Sequence, residues 1–146
     1  MHERGRALTK ERPVLDDAIA VEKAGGLYGK AYIDLAQKNE GGYKQGEDWI
    51  RNCAAMCIAK GMPVAVDDAA PTFPRGYPMK DAALYFGWYT DHIVGALASP
   101  AFRFKRGALA CHLHSFSASF IRSHDRAWAG PLLSHGAAVT FGNVFE

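Results

Sequence analysis

Cysteine is scarce in this chain: Cys53, Cys57 and Cys111 are the only 3 in 146 residues. So sparse and odd a set does not make a disulfide framework, and apolar burial must do the folding. Charge of one sign is lacking too, since 17 basic and 15 acidic side chains leave a net +2. The one basic cluster, Arg103, Lys105 and Arg106, alternates with Phe102 and Phe104 and reads as a solvated lead-in to a strand, so no nucleic-acid surface is expected. No apolar run approaches the ~20 residues of a membrane span. The opening Met1-His-Glu-Arg-Gly-Arg6 has no hydrophobic signal core, and a soluble chain is expected. Internal repeats and low-complexity tracts are missing. Gly107, Gly136 and Gly142 mark element boundaries without forming a phosphate-cradling motif, so no cofactor is expected.

What is present is an apolar fraction of 49%. A chain of this length fits one domain able to bury roughly 70% of its unfolded surface. Residues 1–12 read as a disordered or non-native lead-in and 13–146 as a single α/β domain. Val14, Leu15, Ala18, Ile19 and Val21 recur at helical steps, and Gly25-Gly26 stops that helix near Ala24. Strand formers run from Lys30 to Leu35. A second helix spans Gln45 to Lys60, with Trp49, Ile50, Cys53, Met56 and Cys57 on one stripe and Glu47 and Asp48 suiting its first turn. Pro63 to Asp68 is an apolar strand ending in two acids, and the loop from Ala69 to Lys80 holds Pro71, Pro74 and Pro78. Ala82 to Tyr89 and Ala108 to His114 read as further strands. Pro131 to His135 reads as a short helix and Ala137 to Phe141 as a fifth strand.

Short apolar strands alternating with helices predict a three-layer α/β fold, its sheet mostly parallel with helices on both faces. In such sheets ligands gather outside the carboxyl ends of the strands. Those ends carry Asp34, then Asp67 and Asp68, then Trp88 and Tyr89, then His114 with Ser115, then Asn143. The richest is Gly107 to Ala118, where an apolar run ends in His112-Leu-His-Ser-Phe-Ser117. Strand alternation puts His112 and His114 on one face and turns Cys111 away from both.

A nucleophile needs a base within hydrogen-bond reach. Ser115 or Ser117 could supply the hydroxyl, His114 or His112 the base, and Asp67 or Asp68 the orienting acid. The duller alternative is that serines and histidines at strand ends cap loops and satisfy backbone groups. His112-x-His114 also has a spacing by which one strand offers two imidazoles to a metal, with an aspartate adding oxygen. No third histidine is convincingly placed, because His92 and His124 fall on loops and His135 at a helix end, so no metal is assigned. Trp88, Tyr89 and Asn143 are candidate substrate-binding residues, although core packing is the commoner use of the aromatic set Tyr85, Phe86, Trp88 and Tyr89. Trp128 reads as a packing anchor whose indole nitrogen wants a partner.

Three blocks, Leu84-Tyr-Phe-Gly-Trp-Tyr89, His112-Leu-His-Ser-Phe-Ser-Ala118 and Gly130 through Glu146, resemble the signature blocks of an uncharacterised bacterial family associated with exosortase protein-sorting systems. The resemblance covers about Pro13 to the end. It implies a carboxyl-terminal portion of a longer protein, exported to the periplasm or envelope. A more distant likeness, strand, reactive segment, short helix and strand, is similar to the last catalytic segment of caspase-like and gingipain-like peptidases. On it Ser115 stands near the nucleophile position and no cysteine does. The resulting expectation is a hydrolase or peptidase-like protein of envelope protein sorting. The alternatives are a non-catalytic binding or accessory module for sorted envelope proteins or a glycan, and a metal-dependent hydrolase using His112 and His114.

Overall fold

The computed structural model describes residues 4–145. Four strands form one all-parallel sheet: β1 (Lys30–Asp34), β2 (Val64–Asp67), β3 (Ala82–Trp88) and β4 (Leu109–Leu113), in the order β2-β1-β3-β4. Three helices accompany it: α1 (Arg4–Lys23), α2 (Gly41–Ala59) and α3 (Ala129–Ser134). The expected α/β class is present, with a three-layer arrangement. On one face Ile50 and Ala54 of α2 pack against Ile33, Leu35 and Trp88. On the other Trp128 and Leu132, beside and within α3, close over Tyr32, Tyr85 and Ala110. Both faces are covered, as wholly apolar parallel strands require.

Several boundaries differ from expectation. α1 begins at Arg4 rather than Val14, and Leu15 and Ile19 remain exposed rather than forming a core stripe. Its ties to the body include an Arg106–Asp17 ion pair and the packing of Val21 close to Gly107. Residues 1–3 of the expected lead-in lie outside the described residues. The fifth strand shrinks to one parallel bridge, Leu109 to Val139. Beyond it the chain turns to the loop after β4: Ala118 N–H donates to Asn143 O at 2.9 Å and Asn143 N–H to Ser117 Oγ at 3.2 Å.

On α2 the buried positions are Gly46, Glu47, Ile50 and Ala54, whereas Trp49 and Met56 face solvent. The helix starts at Gly41, so Glu47 is not in its first turn. Glu47 is 1% exposed and takes hydrogen bonds from Ala36 N at 3.2 Å, Gln37 N at 3.1 Å and Trp88 Nε1 at 2.7 Å. One carboxylate thereby joins α2 to the ends of β1 and β3. Gly46 allows this approach, since a Cβ there would collide with the Trp88 ring.

Candidate functional site

The strand order reverses between β1 and β3: the chain passes from β1 outward to β2, then returns to β3 on the other side of β1. Such a reversal opens a crevice at the carboxyl edge of a parallel sheet. The register sets Asp67, Asp34, Gly87 and His112 in one row across the four strands at that edge. Asp34 and His112 are two strand spacings apart, roughly 10 Å, too far for a direct hydrogen bond. Between them β3 carries a glycine, and the Tyr85 hydroxyl occupies the room it leaves. A Cβ on Gly87 would collide with that hydroxyl and lie 2.9 Å from Asp34 Cβ. Glycine weakens a strand, and its presence inside β3 marks this close approach.

The outcome is a buried chain of polar groups. Tyr85 Oη donates to Asp34 Oδ2 at 3.1 Å and lies 3.0 Å from His112 Nδ1. At the far nitrogen, Thr90 N–H donates to His112 Nε2 at 3.1 Å, with Thr90 Oγ1 at 3.2 Å. Since Nε2 accepts, the neutral imidazole carries its hydrogen on Nδ1 and donates it to Tyr85 Oη. The three protein groups are thus linked in one direction, imidazole to phenol to carboxyl. Trp128 stacks on His112 with ring centroids 3.5 Å apart and planes 7° from parallel. Its indole finds the partner it needs, Trp128 Nε1 donating to Thr90 O at 2.7 Å.

Burial controls the charges. Desolvation raises the Asp34 carboxyl to about 7; the bonds from Tyr85 and the Phe73 N–H oppose this rise, and neighbouring Asp67 adds to it. Oδ1 of Asp34 is buried with no partner among the described residues, while Oδ2 accepts both bonds, from Tyr85 Oη and Phe73 N–H. His112 is held well below the ordinary histidine value, first by burial and then by His114. Tyr85 is pushed well above the ordinary phenol value by burial, with Asp34 next.

The residues singled out from the sequence are distributed differently from expectation. His112 and His114 do not share an environment. β4 ends at Leu113, and His114 leans its ring on Tyr89 with centroids 5.1 Å apart. His114 Nδ1 meets the Ser115 carbonyl oxygen, not its hydroxyl, and Ser115 Oγ has no hydrogen-bond partner among the described residues. Ser117 is buried and uses its hydroxyl to receive Asn143 N–H. Asp67 and Asp68 end β2, at the opposite edge of the sheet from β4, roughly 14 Å away at about 4.8 Å per spacing. Asp67 Oδ1 caps its own turn by accepting Ala69 N–H at 3.1 Å, and Asp68 pairs with Arg51 at 2.8 Å. The expected serine, histidine and aspartate set is therefore not assembled.

Burial pushes the Cys111 thiol up to about 12, which keeps it protonated and unreactive. No group of three or more histidine, cysteine or acidic residues suited to a metal exists among the described residues. Trp88 is buried and committed to Glu47. Asn143 is exposed and contributes its backbone.

The accessible groups at this edge come from the first turn of α2, which carries Tyr43, and from the three loops after β1, β3 and β4, which carry Lys38, Tyr89 and His114. Tyr43 and Tyr89 meet edge to face with centroids 5.2 Å apart, and Lys38 Nζ lies 5.7 Å and 5.1 Å from their respective ring centroids. With His114 they form an aromatic rim bearing one cation. Tyr89 and His114 were legible as strand-end residues. Tyr43, Lys38 and the Asp34–Tyr85–His112 chain were not, although the glycine within an otherwise bulky strand was a signal. No protein-family model, curated protein or solved structure matches the chain. No helix among the described residues is long and apolar enough to cross a membrane.

Proposed function

We propose that this protein is a binding module that takes a glycan at the carboxyl edge of its sheet, on the rim of Tyr43, Tyr89, His114 and Lys38. The observation that carries this reading is the division of labour at that edge. The titratable chain Asp34–Tyr85–His112 is sealed from solvent, whereas the groups that can reach a ligand are aromatic rings and a lysine. Rings of this kind pack against the apolar C–H faces of sugars, and the polar groups around them meet hydroxyls. A peptidase-like or metal-dependent hydrolase would draw on a nucleophile–base contact or a ligand cluster, and among the described residues neither supports that rival. The resemblance of the three sequence blocks to the exosortase-associated family favours an envelope glycan as the source of the ligand.

The test is calorimetric titration of the full chain with a hexosamine disaccharide and a neutral glucose trisaccharide, together with chromatography of the sugar after long incubation. Saturable binding of one of them, weakened about tenfold or more by Tyr89→Ala and by His114→Ala, with the sugar recovered intact, is expected. Failure of both sugars to bind at about 1 mM, binding unchanged in both variants, or hydrolysis of the sugar would overturn the proposal.

A further inference from the structure

The opposite, amino edge of the sheet holds an open groove of about 870 Å³. We infer that this groove is a second binding site, for a phosphorylated small molecule with an aromatic or apolar body. Four lysines line it, and each comes from a different segment: Lys30 opens β1, Lys60 caps α2, Lys80 precedes β3 and Lys105 lies in the loop before β4. A single acid, Asp81, stands among them, 4.0 Å from Lys105 Nζ. In a chain whose basic and acidic residues nearly balance, four lysines against one aspartate is a strong local excess. A concave surface lined by one sign of charge concentrates ligands of the other.

The walls between the lysines are apolar, with Leu27, Met62, Pro63 and Pro78 among them. Tyr28 adds an exposed ring steadied at its tip, its hydroxyl donating to Gly25 O at 2.9 Å. Tyr32 forms part of the floor, its hydroxyl tied to Lys80 O at 2.7 Å and Lys30 Nζ 5.3 Å from its ring centroid. The volume suits a ligand of nucleotide size, and the mixture of apolar wall and a few charged groups is the usual constitution of such sites. The carboxyl end of α2 also opens here, and its carbonyls would repel an anion. They are already engaged: the N–H groups of Lys60, Gly61 and Met62 bond to the carbonyls of Met56, Cys57 and Ile58.

A phosphate with an apolar body could be a nucleotide or a lipid phosphate, so the experiment has an arm for each. The full chain is titrated with ATP, with a short-chain phosphatidic acid below its micellar concentration, and with inorganic pyrophosphate. Either of the first two should bind about tenfold or more tightly than pyrophosphate and weaken as salt is raised. The better ligand identifies the source. Lys80→Gln with Lys105→Gln should weaken that ligand by about tenfold or more, and Tyr28→Ala should reduce its advantage over pyrophosphate. Variants of Tyr89 and His114, at the other edge, should leave it unchanged. The inference is overturned if neither ligand binds at about 1 mM, if pyrophosphate binds equally well, or if the double lysine variant, shown folded by circular dichroism, binds as the wild type does.

Discussion

Replacing Asp34 by asparagine preserves the side chain's shape and its acceptor for Tyr85 and Phe73 but removes its ability to take a proton. The consequence can be worked from the two buried groups. In the folded wild type Asp34 is protonated as pH falls through about 7, whereas in the unfolded chain it waits until about 3.8. Its raised folded value therefore contributes stability that is complete below about pH 4 and lost as pH rises through about 7. His112 acts in the opposite sense. Its folded value lies well below 6.5, so as pH falls past 6.5 the unfolded chain binds a proton that the folded one refuses, and stability drops.

Between about pH 6.5 and the lower histidine value each state holds one extra proton, on a different residue, and the two slopes cancel. Asp34→Asn leaves the histidine slope alone, a loss of about 1.4 kcal/mol per pH unit on acidification below about 6.5. Urea unfolding at pH 5, 6, 7 and 8 for both proteins measures this directly. Groups that titrate alike in the two cancel in the difference. The wild type should gain about 2 kcal/mol on the variant between pH 7 and pH 5. A difference that stays constant within about 0.5 kcal/mol over that range would refute the assignment of the buried proton to Asp34.

Gly87→Ala should cost about 2 kcal/mol in urea unfolding, because the new methyl displaces the Tyr85 hydroxyl, and it should abolish much of the pH response attributed to Asp34. Glu47→Ala strips the acceptor from three N–H donors and should lower stability by about 3 kcal/mol, seen as a fall in Tm of roughly 10 °C and a change in Trp88 fluorescence. A fall of only a degree or two would mean that these bonds are not made. Ser115→Ala should shift stability by no more than about 0.5 kcal/mol, since its hydroxyl has no partner among the described residues. A fluorophosphonate probe should label neither wild type nor Ser115→Ala; labelling of the wild type that is lost in the variant would restore the nucleophile.

Much of the architecture was legible from patterning alone. Runs such as Val64 to Asp67 and Leu109 to Leu113 are short and apolar and bounded by turn residues, which suffices to define buried parallel strands and the α/β class. The same chain order, however, is compatible with more than one arrangement of strands, and strand order is a long-range property of packing. It decided that β2 and β4 lie on opposite edges, and so separated Asp67 and Asp68 from His114 and Ser115.

The residues of the sealed chain were visible one by one, Asp34 as a strand end and Tyr85 as one of a bulky series, but nothing local relates positions 34, 85 and 112. Only the register across three strands, with a glycine in the middle, brings their polar atoms within 3.1 Å. Glu47 makes the same point, because a glutamate on a helix is ordinarily solvated and becomes a buried acceptor only where a tryptophan and a strand end present three donors to it. Periodicity along the chain thus determined which segments are strands and helices. Which side chains meet was decided by the order and register in which those segments pack, because hydrogen bonds of this length depend on placements that no single segment contains.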